Sequence, residues 1–196
     1  MNVLQARKTQ EERRAQTQRA LIAAARTLFA EKGYAATGTP EIVAAAGVTR
    51  GALYHHFADK LALFAAVVEE EHLLMAMAIN AGAESDEEPG PIKALVAGSD
   101  AFLDAMQDPG RRQIMLVDAP AVLGRAAVDA IDRRHGMDTL ICGLRDAMEA
   151  GAMKQLPVET LAHLFGALFD RAALAPPEEL AGYRKSIKAL IRGLKT

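Results

Sequence analysis

A chain of 196 residues, half apolar and a quarter charged, is long enough to bury a core and carries no signature of disorder. Its single cysteine excludes an internal disulfide; the opening "MNVLQARKTQ" lacks the apolar stretch of a signal peptide, and no apolar run is long enough to span a bilayer. These features predict a cytoplasmic protein of one or two domains, with no membrane partner.

The net charge of −2 conceals a split. Residues 1–60 hold nine Lys/Arg against five Asp/Glu, a balance of +4, and the remainder holds fourteen against twenty, a balance of −6. A basic first third on an acidic body suits a localised contact with a polyanion.

The periodicity is helical almost throughout. Leu21, Ala24, Ala25, Leu28 and Phe29 recur at helical spacing and predict an amphipathic helix over roughly 10–32, ended at Gly33. A short helix follows at about 39–46, with Pro40 tolerated in its first turn and Gly47 closing it. Thr49 is placed to cap a third at about 50–56, and Asp59 a fourth at about 60–82.

The acidic, turn-rich "GAESDEEPGP" at 82–91 reads as an exposed connection. Further helices are predicted at about 91–107, 109–117, 119–134 and 137–151, separated at Pro109-Gly110, Pro120 and Gly136. The last two, 157–174 and 178–194, carry regular apolar stripes. One includes Leu161, Leu164, Phe165, Leu168 and Phe169; the other Tyr183, Ile187, Leu190 and Ile191. Such a pair either completes a monomer core or joins its copies in a four-helix bundle, and periodicity alone leaves both open.

The segment 39–56 reads helix, Gly-containing turn, helix. That is the helix-turn-helix arrangement, whose second helix enters the major groove of double-stranded DNA, about 12 Å wide. Ile42, Val43, Ala46, Val48 and Leu53 form its expected core, leaving Arg50, Gly51, Tyr54 and His55 outward. The adjacent His55 and His56 point about 100° apart on a helix, so they do not face one metal ion together. No Cys or carboxylate completes a ligand set beside them. Cys142 lies mid-helix with no evident base and reads as a small core residue. Neither a metal site, a cofactor nor a catalytic group is expected.

Residues 28–69, "LFAEKGYAATGTPEIVAAAGVTRGALYHHFADKLALFAAVVE", resemble the DNA-binding domain of the TetR (tetracycline-repressor-like) regulators. The marks are "LFAEKGY", the turn before Thr49, "GALYHHF" and the Lys-containing start of the next helix. "VDAPAVLGRAAVDAIDRRHG" at 117–136 and the two final stripes are similar to one branch of the family. The resemblance implies an all-α homodimer, with a helix-turn-helix domain over 1–58 (the motif at about 38–57) and a ligand-binding and dimerisation domain over 59–196.

By position, the resemblance assigns Thr49 to cap the recognition helix and touch a phosphate. Arg50 and Gly51 would lie along base edges, with Arg50 able to donate a fork to guanine; Tyr54, His55 and Lys60 would hold backbone phosphates. Thr39 is a further DNA contact, and Arg7 and Lys8 are candidates for an arm on DNA. His56 and Phe57 pack against the next helix. Gly38 and Pro40 depart from the polar residues common in the family, so no contact is transferred to them.

In the body, His72, Met75, Met77, Phe102, Met106, Met115 and Phe165 are candidates to line a cavity for a small, largely apolar ligand. For each methionine and phenylalanine the plain alternative is core, and His163 reads as a structural histidine. The candidate dimer face is Leu161, Phe165, Leu168, Phe169, Tyr183, Ile187, Leu190 and Ile191. The function expected is a DNA-binding regulator, a repressor released by a small molecule. Two alternatives are a regulator controlled by a protein partner and a small all-α enzyme.

Overall fold

The computed structural model describes residues 9–83 and 90–196. The proposed arm at Arg7 and Lys8 and most of the acidic connection lie outside the described residues. Those residues are helical, joined by short turns; the only extended pairing among them is an isolated bridge between Met153 and Lys195. None of their helices is long and apolar enough to cross a membrane. The chain forms two compact units divided between Val67 and Val68.

The first unit holds α1 (Gln10–Ala36), α2 (Thr39–Ala46), α3 (Arg50–His56) and the start of α4 (Lys60–Ala83). Thr9 opens α1 with a reciprocal capping box: its side chain accepts from Glu12 N–H, and the Glu12 carboxylate accepts from Thr9 N–H. At Gly33 the chain leaves helical geometry, φ +77°, before a last turn to Ala36. Leu21, Ala25, Phe29, Ile42, Leu53, Leu63, Phe64 and Val67 are wholly buried. The Phe64 ring stands edge-on to Phe29 at 5.1 Å and tilted to Tyr34 at 4.8 Å. These first turns of α4 complete the small core, and the division between units falls a third of the way along that helix where 58/59 was expected.

The second unit continues along α4 to α5 (Pro91–Ala105), α6 (Pro109–Arg112), α7 (Ala119–Val122), α8 (Arg125–Glu149), α9 (Val158–Ala173) and α10 (Leu180–Gly193). Its core joins α5, α8, α9 and α10 through Leu103, Leu144, Met148, Phe165, Phe169, Ile187 and Ile191. Between α6 and α7 the backbone widens to a π-helical turn over Gln113–Asp118, where Ala119 N–H reaches back to Ile114 O. Pro120, next in line, has no N–H with which to continue an α-helical ladder.

Two breaks fall elsewhere than expected. Gly136 is an interior residue of α8, and the interruption comes earlier, at Gly124. There φ +81° and ψ 153° place the backbone where side chains are strained, so glycine is demanded at 124 by its conformation, whereas at 136 the backbone is helical and an added Cβ would instead crowd Asp132 Oδ1 at 2.7 Å. Cys142 is also corrected: it lies on the outer face of α8 and is exposed.

Candidate nucleic-acid interface and candidate ligand cavity

The α2–α3 corner follows directly from its residues. Gly47 adopts the left-handed conformation, φ +65°, and Val48 N–H returns to Val43 O at 3.0 Å, closing α2 within one residue. Thr49 is extended, and its Oγ1 accepts from Ala52 N–H at 3.2 Å, so α3 starts with a capped end. Leu53 and Ile42 are buried at the contact, with Val43, Ala46 and Val48 half-buried around them.

The outward face of α3 presents Arg50, Gly51, Tyr54 and His55, all exposed. The Arg50 guanidinium lies 5.5 Å from the centre of the Tyr54 ring. Hydrogen bonds from Thr39 and then Arg50 to the Tyr54 hydroxyl hold its pKa below the usual phenol value. Thr39, Arg50 and Tyr54 therefore form one polar cluster spanning α2 and α3. A Cβ at Gly51 would meet only Thr49 Oγ1, at 3.9 Å, so nothing in the chain's own packing requires glycine there. His56 points back toward α1; burial, and then the charges of His55 and Arg14, push its pKa down.

Lys60 has an internal role that the sequence did not indicate. Its Nζ donates to the carbonyls of Tyr34 and Thr37, each at 3.0 Å, and sits 4.1 Å from the centre of the Tyr34 ring. The ammonium therefore ties the start of α4 to the chain leaving α1. Thr37, almost wholly buried, adds hydrogen bonds from Oγ1 to the Gly33 and Leu28 carbonyls.

Within the second unit lies a cavity of about 360 Å³. His72, Met75, Phe102, Met106 and Met115 are among the residues that line it. Phe165 does not: it is 4% exposed and packed into the α9–α10 core, while Phe169, one helical turn on, reaches the wall. Met77 also fails to line it and is exposed, since two residues along a helix turns a side chain about 200° away from Met75.

Polar residues missed by the sequence reading share the cavity wall: Ser99, Asp129, Asp132 and Asp170, with Arg125 and Arg133. His163, expected to be structural, is exposed and lines the same cavity. His72 is 7% exposed, with Nδ1 3.4 Å from Asp132 Oδ1, while its buried Nε2 has no hydrogen-bond partner. Asp170 is pushed up to about 6, mainly by burial and then by Asp132, with Arg125 and His72 opposing. Among the described residues, no group of three or more His, Cys, Asp or Glu is arranged to hold a metal ion.

A second ion pair in this unit lies outside the cavity lining. Glu71, 1% exposed, accepts from Arg111 Nε at 2.6 Å, and Arg111 also donates to the Ala105 carbonyl. Arg112 caps the end of α5 by donating to the Met106 carbonyl at 2.8 Å.

The α9–α10 pair divides its apolar residues between two faces. Phe165, Phe169, Ile187 and Ile191 are each less than a tenth exposed in a single chain. They belong to the monomer core and have little surface left to give a second copy, which corrects their placement at a dimer face. Leu164, Leu168 and Leu190 are exposed at 60%, 39% and 51%, with Leu161 and Tyr183 half-buried.

The family model described as bacterial regulatory proteins, tetR family, matches residues 21–67. The model for a tetracyclin repressor-like C-terminal domain matches residues 92–194. The chain is 26% identical over 186 residues to the transposon Tn10 TetC protein of Escherichia coli, covering 94% of this chain and 93% of that protein. It is 51% identical over 63 residues to the HTH-type transcriptional regulator CymR of Pseudomonas putida, a match spanning 32% of this chain and 31% of CymR. The crystal structure of a TetR-family transcriptional regulator from Pectobacterium atrosepticum superposes with a TM-score of 0.80 at 31% identity, covering 96% of this chain and 98% of that one.

Proposed function

The chain belongs to the TetR family of bacterial regulatory proteins and is a DNA-binding transcriptional regulator, and we propose that it is a repressor released from its operator by a small molecule held in the body cavity. The observation that carries the DNA-binding half is the outward face of α3, where Arg50, Gly51, Tyr54 and His55 project from a helix capped at Thr49. Arg50 reads a base edge; Thr39, Thr49, Tyr54 and His55 hold phosphates. Lys60 has an N–H beyond the two used internally and adds positive charge to the first unit.

A homodimer sets two such helices about 34–36 Å apart, in successive major grooves of a pseudo-palindromic site in the cytoplasm. The exposed Leu164, Leu168 and Leu190 give α9 and α10 an apolar face for that pairing. A ligand releases DNA only by binding the DNA-incompetent arrangement more tightly. His72 lies on α4, the helix that also contributes Leu63, Phe64 and Val67 to the first unit, so a shift of α4 links occupancy to operator affinity. The reading invokes no catalytic step.

The test is retention of DNA fragments by purified protein, starting beside its own gene, followed by titration of the retained fragment. Arg50→Ala is expected to weaken binding to that fragment by about 1–3 kcal/mol and to relax sequence preference. Equal weakening on random DNA would remove Arg50 from the base-reading role.

A further inference from the structure

The polar end of the body cavity has a definite hydrogen-bonding sense. Asp132 beside Nδ1 of His72 favours the proton on that nitrogen, which leaves the buried Nε2 of this cavity-lining residue as an unpartnered lone-pair acceptor. The hydroxyl of Ser99 is spent on the Leu95 carbonyl at 2.7 Å, so its oxygen offers acceptance only. Asp170 on α9 and Asp132 on α8 are close enough to repel each other. Arg125 is committed to Asp129 at 2.9 Å, and Arg133 is exposed. The buried groups at this end are thus acceptors, and its uncompensated charge is negative. The opposite walls are apolar, built from Met75, Phe102, Met106, Met115 and Phe169.

We propose that the cavity selects an organic cation, a protonated amine or amidine on an apolar frame, whose N–H groups are received by Asp170 and by Nε2 of His72. This refines the expected largely apolar ligand and rests on the reading of the cavity as a ligand site. A neutral apolar molecule would bury the same walls but leave Nε2 unsatisfied and two carboxylates facing each other. An anion would add a third negative charge. A cation with N–H donors satisfies Nε2 and separates the carboxylates at once.

Proton linkage gives a second signature. The groups facing Asp170 are His72 from α4 and Arg125, Asp129 and Asp132 from α8, with Arg133 and His163 elsewhere on the wall. A bound cation favours ionised Asp170, so its binding expels a proton as the pH is lowered through about 6.

Calorimetry on the purified full chain with 4-phenylbutylamine, 4-phenylbutan-1-ol and 5-phenylpentanoate tests this. At pH 7.5 the amine is expected to bind about tenfold or more tighter than the alcohol, and the acid more weakly still. At pH 5 the amine's affinity falls, with proton release visible as a buffer-dependent heat, while the alcohol's is unchanged. Asp170→Asn should erase the preference for the amine, and His72→Met should reduce it. The proposal is overturned if alcohol or acid matches the amine, if the preference survives Asp170→Asn, or if the amine does not bind at millimolar concentration. Should the variants fail to fold, the charge preference and pH profile of the unaltered protein decide. Operator release is measured separately: an amine that binds without releasing DNA overturns the repressor-release reading and leaves this one intact.

Discussion

The two units use the same element, the amphipathic helix, to opposite ends. The first packs a dry apolar centre and turns its chemistry outward: Phe29, Phe64 and Leu53 have no exposure, while Arg50, Tyr54 and His55 face water. The second turns chemistry inward, placing Glu71, His72 and Asp170 where solvation is poor. A rigid polyanion is met by a surface, and a small molecule is met by enclosure. Enclosure costs stability, because every polar group on a cavity wall is desolvated whether or not a ligand arrives. The second unit is therefore expected to be the one whose stability responds to charge.

The sharpest test of that contrast is Arg111→Met. It leaves the Glu71 carboxylate buried without the guanidinium and should destabilise the body by about 3–5 kcal/mol in urea unfolding. A loss below about 1 kcal/mol would show that the Glu71 carboxylate does not depend on this guanidinium for its compensation.

Asp170→Asn should act in the other direction. The folded body raises this carboxyl from 3.8 to about 6, so the folded state holds more protons than the unfolded chain between those values. Stability accordingly declines as pH rises through that window and stays reduced above it. The amide removes the penalty, stabilising the body by about 1–3 kcal/mol at pH 7.5 and by almost nothing near pH 4. Thermal unfolding at the two pH values measures the difference; an equal gain at both would show that charge is not its source.

Lys60→Met breaks the rule that the first unit keeps its charges outside. Removing two donors to backbone carbonyls should lower that unit's stability by about 1–2 kcal/mol, in addition to any loss of DNA affinity. If only DNA affinity falls, Lys60 is a phosphate contact and nothing more. The smallest effect is Gly38→Ser. Gly38 caps α2 without a side-chain hydrogen bond, its backbone is extended, and an added Cβ comes no nearer than 3.4 Å to Pro40 Cδ. Serine should gain a few tenths of a kcal/mol, readable as a small rise in the unfolding midpoint.

The outward chemistry was legible in the sequence because it is local. Residue type marks Leu53 as the one large aliphatic side chain of α3 among Arg50, Tyr54 and His55, and Thr49 announces its own cap. The inward chemistry was not. Asp132 and Asp170 sit on different helices and meet only because α8 and α9 pack together; nothing in either segment marks them. His72 was singled out with its cavity, but its unsatisfied nitrogen depends on what surrounds it in three dimensions. The same reason explains the α9 stripe. Periodicity identified Phe165 and Phe169 as apolar, but only packing assigned Phe165 to the core and Phe169 to the cavity wall. Gly136 reads as a break in the sequence because glycine type alone does not tell a helix interior from a helix end, and Gly124, where the helix does break, is distinguished only by its positive φ.

The widened turn at Gln113–Asp118 has a consequence for how the chain tolerates changes in length. A π-turn holds one residue more than the α-turn it replaces, so the segment from Pro109 to Val122 carries a spare residue within one otherwise continuous helical path. Deleting the exposed Val117 discards that residue and lets the turn tighten toward α-helical spacing, with Pro120 still leaving one rung of the ladder unmade. The same single-codon loss inside α8 would rotate everything beyond it by about 100°. Beside the cavity, the protein therefore has a place where its reading frame of side chains can lose a step without losing the fold.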